Sequence, residues 1–315
     1  MKSSTEKNHA LQKRRVVVVG SLNMDFVTAV QQHPKPGETV LGSDVQRFPG
    51  GKGANQAAAA AKLGADVAML GCVGEDAIAQ ELRASLRSFG ADISGVQQIA
   101  TASGMAFITV DAQGENMIVV SSGANRQFSP ERFDPATLEA AAVVLMQLEI
   151  PLATVAHVAA LARERGLQVM LNPAPAQRLE PSLLACLHYL IVNEGEAALL
   201  SGQAVQDVSS ALSAAQQLRS QGVACVIVTL GGQGLVYSSP DGQGHIPACQ
   251  VQVVDTTAAG DSFCGALAQQ LAAGETLLAA LRFANAAAAL STTRLGAQPS
   301  LPAYDEVTAL LETLA

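Results

Sequence analysis

The chain has 315 residues, 49% hydrophobic and 15% charged, enough for one large α/β domain or two small ones with a sizeable core. A formal net charge of −8 argues against non-specific binding to nucleic acid or anionic membrane, and 3% aromatics with no Trp against base-stacking platforms. The five cysteines (Cys72, Cys186, Cys225, Cys249, Cys264) are scattered and form no Cys-x-x-Cys pair, so reduced thiols in a cytoplasmic enzyme are expected rather than a disulfide framework or zinc site.

Met1 to Arg15 is polar and basic and reads as a mobile tail before the first strand. The apolar run Val16 to Val19 is too short for a signal peptide, and no stretch approaches a transmembrane span. Val16 to Val19 reads as a buried strand ending at Gly20. Leu22 to Val30 continues it in extended form, with Asn23 and Asp25 on one face by period two. Two polar side chains so spaced can grip hydroxyl groups; a polar edge strand is the plain alternative.

Pro34 to Val40 reads as a turn into another strand. Phe48 to Gln56 is a glycine-rich loop entering an alanine-rich helix that stops at Gly64. It is not a Walker A loop, because Gly53 follows Lys52, and Gln56 occupies the third glycine position of a dinucleotide fingerprint. The glycines let backbone N–H groups approach a small polar ligand, and Asn55 adds donors and an acceptor. A tight turn explains one or two of them equally well.

Further on, strands are expected over Asp66 to Gly71, Ala142 to Leu148, Gln168 to Leu171, Tyr189 to Val192, Ala224 to Thr229 and Leu235 to Ser238. Helices are expected over Asp76 to Ser88, Pro151 to Arg165, Val208 to Ser220, Leu277 to Thr293 and Ala303 to Leu314. Met105 to Asp111 and Glu115 to Val120 form a hairpin that, with the segment near Val40, interrupts the alternation and reads as a small lid sheet. Lid strands are assigned to about 22–48 and 103–121, within one domain over 16–315.

The fold class is therefore α/β: a mostly parallel central sheet with helices on both faces, plus the lid. Ligands of such sheets bind beyond the carboxyl ends of the strands. Asn23, Asp25, Glu149, Asn193, Glu196, Thr229 and residues 255–261 all end or follow strands and are expected on one rim. The segment from Val253 reads as the end of a strand, then a turn of small residues, then a helix from Cys264. Asp261 at that helix mouth is either an N-cap or a general base beside an anion-binding turn. The histidines (His9, His33, His157, His188, His245) show no metal spacing.

Taken together, Gly50-Gly51-Lys52-Gly53-Ala54-Asn55-Gln56-Ala57 and Asp255-Thr256-Thr257-Ala258-Ala259-Gly260-Asp261 resemble the two signatures of the ribokinase-like (phosphofructokinase-B type) sugar kinases. Ala258 stands where wider relatives carry glycine. Asn172 to Ala176 and Gly296 to Ser300 resemble the ribokinase branch, and the likeness runs from about Val16 to the C-terminus. The resemblance implies transfer of phosphoryl from Mg-ATP to the 5-hydroxyl of D-ribose, with Asp261 as general base and an anion hole at Ala258, Ala259, Gly260 and Asp261.

It implies sugar binding by Asn23, Met24, Asp25, Gly51, Lys52, Gly53, Ala54, Asn55, Glu149 and Asp261. It implies ATP binding by Asn193, Thr229, Leu230, Gly231, Gly232, Gln233, Gly234, Gly260, Asp261 and Asn285, with Asn193 and Glu196 supporting hydrated Mg²⁺. It further implies a K⁺ site from Asp255, Thr257, Ser291, Arg294, Gly296 and Ser300, several through backbone carbonyls; a turn-capping role is the plain alternative for Asp255. Relatives cover the lid edge by pairing lids, so a homodimer is expected. The alternatives are a kinase for 2-deoxyribose, fructose, pseudouridine or adenosine, and a non-catalytic sugar sensor. Asn23 favours ribose over deoxyribose, because a buried amide left unpaired is costly. A NAD-dependent dehydrogenase is disfavoured by the missing fingerprint.

Overall fold

A computed structural model of the chain describes residues 15–314. The expected tail lies outside these apart from Arg15. In chain order come β1 (Arg15–Val19), β2 (Asn23–Ala29), β3 (Gln46–Gly50), α1 (Lys52–Lys62), β4 (Val67–Gly74), α2 (Ala77–Ser88) and β5 (Val96–Ile99). The hairpin β6 (Gly104–Val110) and β7 (Asn116–Ser121) precedes β8 (Ala141–Met146), α3 (Leu152–Glu164), β9 (Gln168–Leu171), α4 (Pro181–Leu184) and β10 (Tyr189–Asn193). Then follow α5 (Glu194–Ser201), α6 (Val208–Ser220), β11 (Cys225–Thr229), β12 (Leu235–Ser239), β13 (Gly242–Ile246), α7 (Ala259–Ala273), α8 (Leu277–Ser291) and α9 (Tyr304–Thr313).

The nine-stranded sheet runs β13-β12-β11-β10-β9-β8-β1-β4-β5. Neighbours from β5 through to β11 are parallel; β12 and β13 are antiparallel. Alternation in β1 divides the core: Val16 and Val18 pack under α1, α2, α7, α8 and α9, whereas Val17 and Val19 pack under α3, α4, α5 and α6. A strand buried on both faces reads as an unbroken valine run, as this one does.

The lid is a separate four-stranded sheet, β3-β2-β6-β7. The chain does not extend β1 through Leu22 as expected; it changes sheets at Gly20-Ser21-Leu22. Nor does the third lid strand lie near Val40. It is Gln46–Gly50, pairing antiparallel with β2, with Pro49 tolerated because β3 is an edge. Phe26 and Phe107 stack across the lid with centroids 5.6 Å apart.

One further expectation fails, and of the two readings of Asp261 the capping one is excluded. No strand forms at Val253 and Val254, which are 60% and 54% exposed. The N–H groups of Val254 and Asp255 both donate to the Thr292 carbonyl, at 2.8 and 3.1 Å, so a helix end replaces a strand partner. Asp261 does not cap its helix. Ala258 is the N-cap, in the left-handed region at φ 59°, and Asp261 lies in the first turn. The sequence reading also missed β5, α5 and β13, whose polar or glycine-rich stretches carry little apolar periodicity.

Candidate active site

The carboxyl end of β1 leads directly into the lid, so β2 begins over the rim of the main sheet. Glu149, three residues past β8, gathers this crossing. Its Oε2 accepts from Ser21 Oγ at 2.5 Å, Asn23 Nδ2 at 3.3 Å and the Lys52 N–H at 3.1 Å. Asn125, buried at the foot of the lid, accepts from the Leu22 N–H at 2.9 Å and donates to Asn23 Oδ1 at 2.7 Å. Asp25 differs: among the described residues nothing donates to its carboxylate. Burial, with the Glu149 and Asp261 charges behind it, raises its pKa from 3.8 to about 7. The result is a carboxylate that gains from incoming hydroxyl donors.

Several signature residues act through packing. A Cβ on Gly51, which sits at φ 89°, would come within 2.7 Å of the Asn23 nitrogen, and one on Gly53 within 2.5 Å of the Ser21 nitrogen. The N–H groups of Lys52, Gly53 and Ala54 are taken by Glu149, Ser21 Oγ and the Ser21 carbonyl. Those helix-end donors serve the fold, so the glycines permit close packing of α1 on the crossing. Met24 is fully buried in the core and Ala54 nearly so, leaving neither side chain to meet a ligand.

Asp261 stands where α7 meets α1. Its Oδ2 accepts from Asn55 Nδ2 at 3.0 Å, and its Oδ1 from Gln56 Nε2 at 2.9 Å. Among the described residues the N–H groups of Gly260 and Asp261 have no acceptor within the protein. A Cβ on Gly260 would meet only open space. Two free donors at a helix N-terminus beside a carboxylate can receive an anionic group. Lys52 is held cationic: burial works against the charge, but Asp261, Glu149 and Glu196 outweigh it and raise its pKa.

A cavity of about 580 Å³ opens from Asp261 and Lys52 along the strand ends. Asn193, Glu196, Thr229, Gly231, Gly232, Gly234, Ala258, Ala259, Gly260 and Asn285 line it. Leu230 and Gln233 do not: Leu230 is buried in the core and the Gln233 carbonyl accepts from His245. Asn193 caps α5 in a reciprocal box with Glu196, at 2.8 and 2.9 Å. Burial raises the Glu196 pKa, opposed by the Asn193 N–H and Lys52. Asn285 Nδ2 donates to the Pro247 carbonyl at 2.8 Å and so props the cavity wall. The sequence reading missed that wall's apolar face, Val251, Val253, Phe263, Ala288 and Ala289, whose residue types carry no chemical signal. It also gave no site role to Ser21, Gln56, Asn125 and Gln147; Gln56 stands in the first signature, and the other three carry no motif of their own.

Beside the site, Asp255 ties two segments together. Its Oδ1 accepts from the Thr257 N–H at 2.9 Å and Oγ1 at 2.6 Å; its Oδ2 accepts from the Gly296 N–H at 2.8 Å. Burial pushes its pKa up, but the bonds from Thr257 and Gly296 prevail and lower it. Ser291 and Ser300 hydroxyls donate to the Ala288 and Ala297 carbonyls, at 2.7 and 2.8 Å, and Arg294 pairs with Glu306.

No helix of the described residues is long and apolar enough to cross a membrane. A family model described as pfkB family carbohydrate kinase matches residues 13–304. The chain is 41% identical over 303 residues to a ribokinase of Haemophilus influenzae, covering 95% of this chain and 99% of that one. It is 38% identical over 295 residues to a deoxyribokinase of Salmonella typhi, covering 92% and 96%. Its fold matches that of an Arabidopsis thaliana ribokinase complexed with ribose and ATP, with a TM-score of 0.89 at 33% identity, covering 95% and 99%. With a matching central sheet, lid and signature loops along nearly its whole length, the chain belongs to the pfkB family of carbohydrate kinases.

Proposed function

We propose that the protein transfers the γ-phosphoryl group of ATP to the 5-hydroxyl of D-ribose. The observation that carries this reading is Asp261: a buried carboxylate with both oxygens held by amide donors, at the junction of a polar pocket and an elongated cavity. The pocket of Asn23, Asp25, Asn55 and Glu149 suits a polyol. Asp261 accepts the hydroxyl proton as that oxygen attacks phosphorus, while the Gly260 and Asp261 N–H groups and Lys52 offset the charge on the transferring group. ATP lies along the cavity, its phosphates toward the α7 N-terminus.

Mg²⁺ fits the donor set, since Glu196 presents a carboxylate to the cavity with Oε2 bonded to Asn193 and Oε1 left over. Bound with ATP, it neutralises phosphate charge, and Glu196 and Asn193 would hold its waters. K⁺ would lie between residues 255–257 and 291–300. Thr257, Ser291, Arg294 and Ser300 have their side chains engaged, so they would offer carbonyls, with Asp255 supplying the charge. The exposed apolar strand β7 supports pairing of two lids in a homodimer, and five free thiols suit the cytoplasm.

The similarity to a deoxyribokinase makes 2-deoxyribose the second reading. Against it stands Asn23, a polar side chain that Asn125 and Glu149 hold in the pocket where a deoxy sugar would favour an apolar one. The test is ADP release from Mg-ATP with D-ribose, 2-deoxy-D-ribose, D-fructose, adenosine and pseudouridine, with and without K⁺. Ribose is expected to give the fastest turnover and K⁺ to raise it; preference for deoxyribose overturns the assignment. Asp261→Asn is expected to bind sugar without turnover, and undiminished turnover removes Asp261 as base.

A further inference from the structure

Amides have a direction: one end donates and the other accepts. Both amides that hold Asp261 have their direction fixed from behind. Asn55 Oδ1 accepts from Gln298 Nε2 at 3.3 Å, and Gln298 Oε1 accepts from Ser85 Oγ at 2.7 Å. On the other side, Gln56 Oε1 accepts from Gln147 Nε2 at 2.6 Å. Gln147 keeps this orientation although its own buried Oε1 has no partner. Turning it over would set two amide oxygens against each other. Gln147 and Gln298 are 0% and 3% exposed, and neither lines the cavity.

We infer that Gln298 and Gln147 are positioning residues for the base, each fixing which end of the amide in front of it faces Asp261. Without Gln298, Asn55 is free to turn and set its oxygen toward Asp261 Oδ2. Gln147 shares this task on Gln56 with Asn172, whose Oδ1 also accepts from Gln56 Nε2 at 3.3 Å, so without Gln147 that amide is loosened less. Either inversion replaces a donor with a repelling oxygen and swings the carboxylate out of place. Gln298 also lies two residues past Gly296, whose N–H is bonded to Asp255, so one short loop touches both the Asp255 turn and the base. Gln298 lies in the segment Gly296 to Ser300 that resembles the ribokinase branch, but only the fold brings its side chain behind Asn55.

This inference rests on the reading of Asp261 as base, and one substitution separates the two. A glutamic acid at 298 can, when protonated, donate to Asn55 Oδ1 and still accept from Ser85. When ionised it can only accept. Turnover of Gln298→Glu and Gln298→Leu is measured from pH 6 to 8.5 against the unsubstituted enzyme, with melting temperature as a check of folding. Gln298→Leu is expected to lose about tenfold in kcat at every pH, as befits one buried hydrogen bond. Gln298→Glu is expected to match that loss at pH 8.5 and recover most of it toward pH 6, since burial raises a carboxyl pKa into this range. Gln147→Leu is expected to lower kcat by a smaller factor, because Asn172 still accepts from Gln56 Nε2. Full activity in the variants, or a Gln298→Glu deficit that is the same at all pH, overturns the relay. If Asp261→Asn is inactive while the Gln298 and Gln147 variants are not, only the relay fails; if Asp261→Asn turns over normally, the base assignment itself falls.

Discussion

The Asn125 side chain donates to Asn23 Oδ1 at 2.7 Å and leaves the Asn23 NH₂ directed at Glu149. Asn125 is 102 residues away in sequence, at the foot of the lid, yet it decides what Asn23 can offer. Asn23→Leu is expected to cut kcat/KM for ribose by about tenfold or more, and to cut it less for 2-deoxyribose. The two sugars assayed side by side give the ratio; an unchanged ratio removes Asn23 as a discriminator. Asn125→Leu is expected to raise KM for ribose, because the freed amide can turn.

Asp25 predicts a pH dependence. Its carboxyl, raised to about 7, must be ionised to accept hydrogen bonds from two sugar hydroxyls, so KM for sugar is expected to rise about tenfold per pH unit below that value. Stability moves the other way. The folded state keeps a proton between pH 4 and 7 that the unfolded chain has released, so folding weakens as pH rises through this window. Asp25→Asn is expected to melt higher than the unsubstituted protein at pH 8 and to lose sugar affinity. Thermal melts at pH 5 and 8 check the sign: a variant no more stable at pH 8 contradicts it.

Ala258 holds φ 59°, where a Cβ costs ~1–2 kcal/mol. Glycine would relieve that strain but cost ~0.5–1 kcal/mol of chain entropy. Ala258→Gly is therefore expected to be as stable as the parent, or slightly more so, and to keep its activity. A large loss of turnover would mean that the alanine methyl shapes the phosphate turn.

The lid carries the broadest apolar exposure: Met117, Ile118, Val119 and Val120 are 55%, 52%, 69% and 47% exposed. Ile118→Glu together with Val119→Lys is expected to turn a dimer into a monomer in sedimentation at micromolar concentration. A parent that is already monomeric would dismiss lid pairing.

Much of the fold was legible because each buried strand carries a local signature. The β1 run of Val16 to Val19 and the exact span Gln168–Leu171 are short apolar segments bounded by polar or glycine residues. The lid hairpin was legible from its turn. Val253 and Val254 misled because β-branched residues signal extended backbone, not a partner, and here the partner is a helix end. Gly242–Ile246 went unread because its pairing with β12 is made by backbone groups that leave no trace in side-chain pattern. Within the site, Asp261, Asn55 and Asn193 stood out beside their glycines. Gln147 did not, since a glutamine in sequence reads as surface, and Gln298, though within the segment Gly296 to Ser300, carried no sign of the side chain it would touch.

The sequence by itself determined the layering, the rim on which chemistry would gather, and the kinase family, because periodicity and loop signatures are local properties. Only the tertiary structure decided which polar groups are spoken for. It turned the glycines of the first signature from ligand donors into packing sites and showed Asp261 as a carboxylate held by two amides rather than a helix cap. It also left Asp25 without a partner. Hydrogen-bond satisfaction depends on neighbours up to hundreds of residues away, as in Gln298 and Asn55, 243 apart, and no spacing rule carries that information.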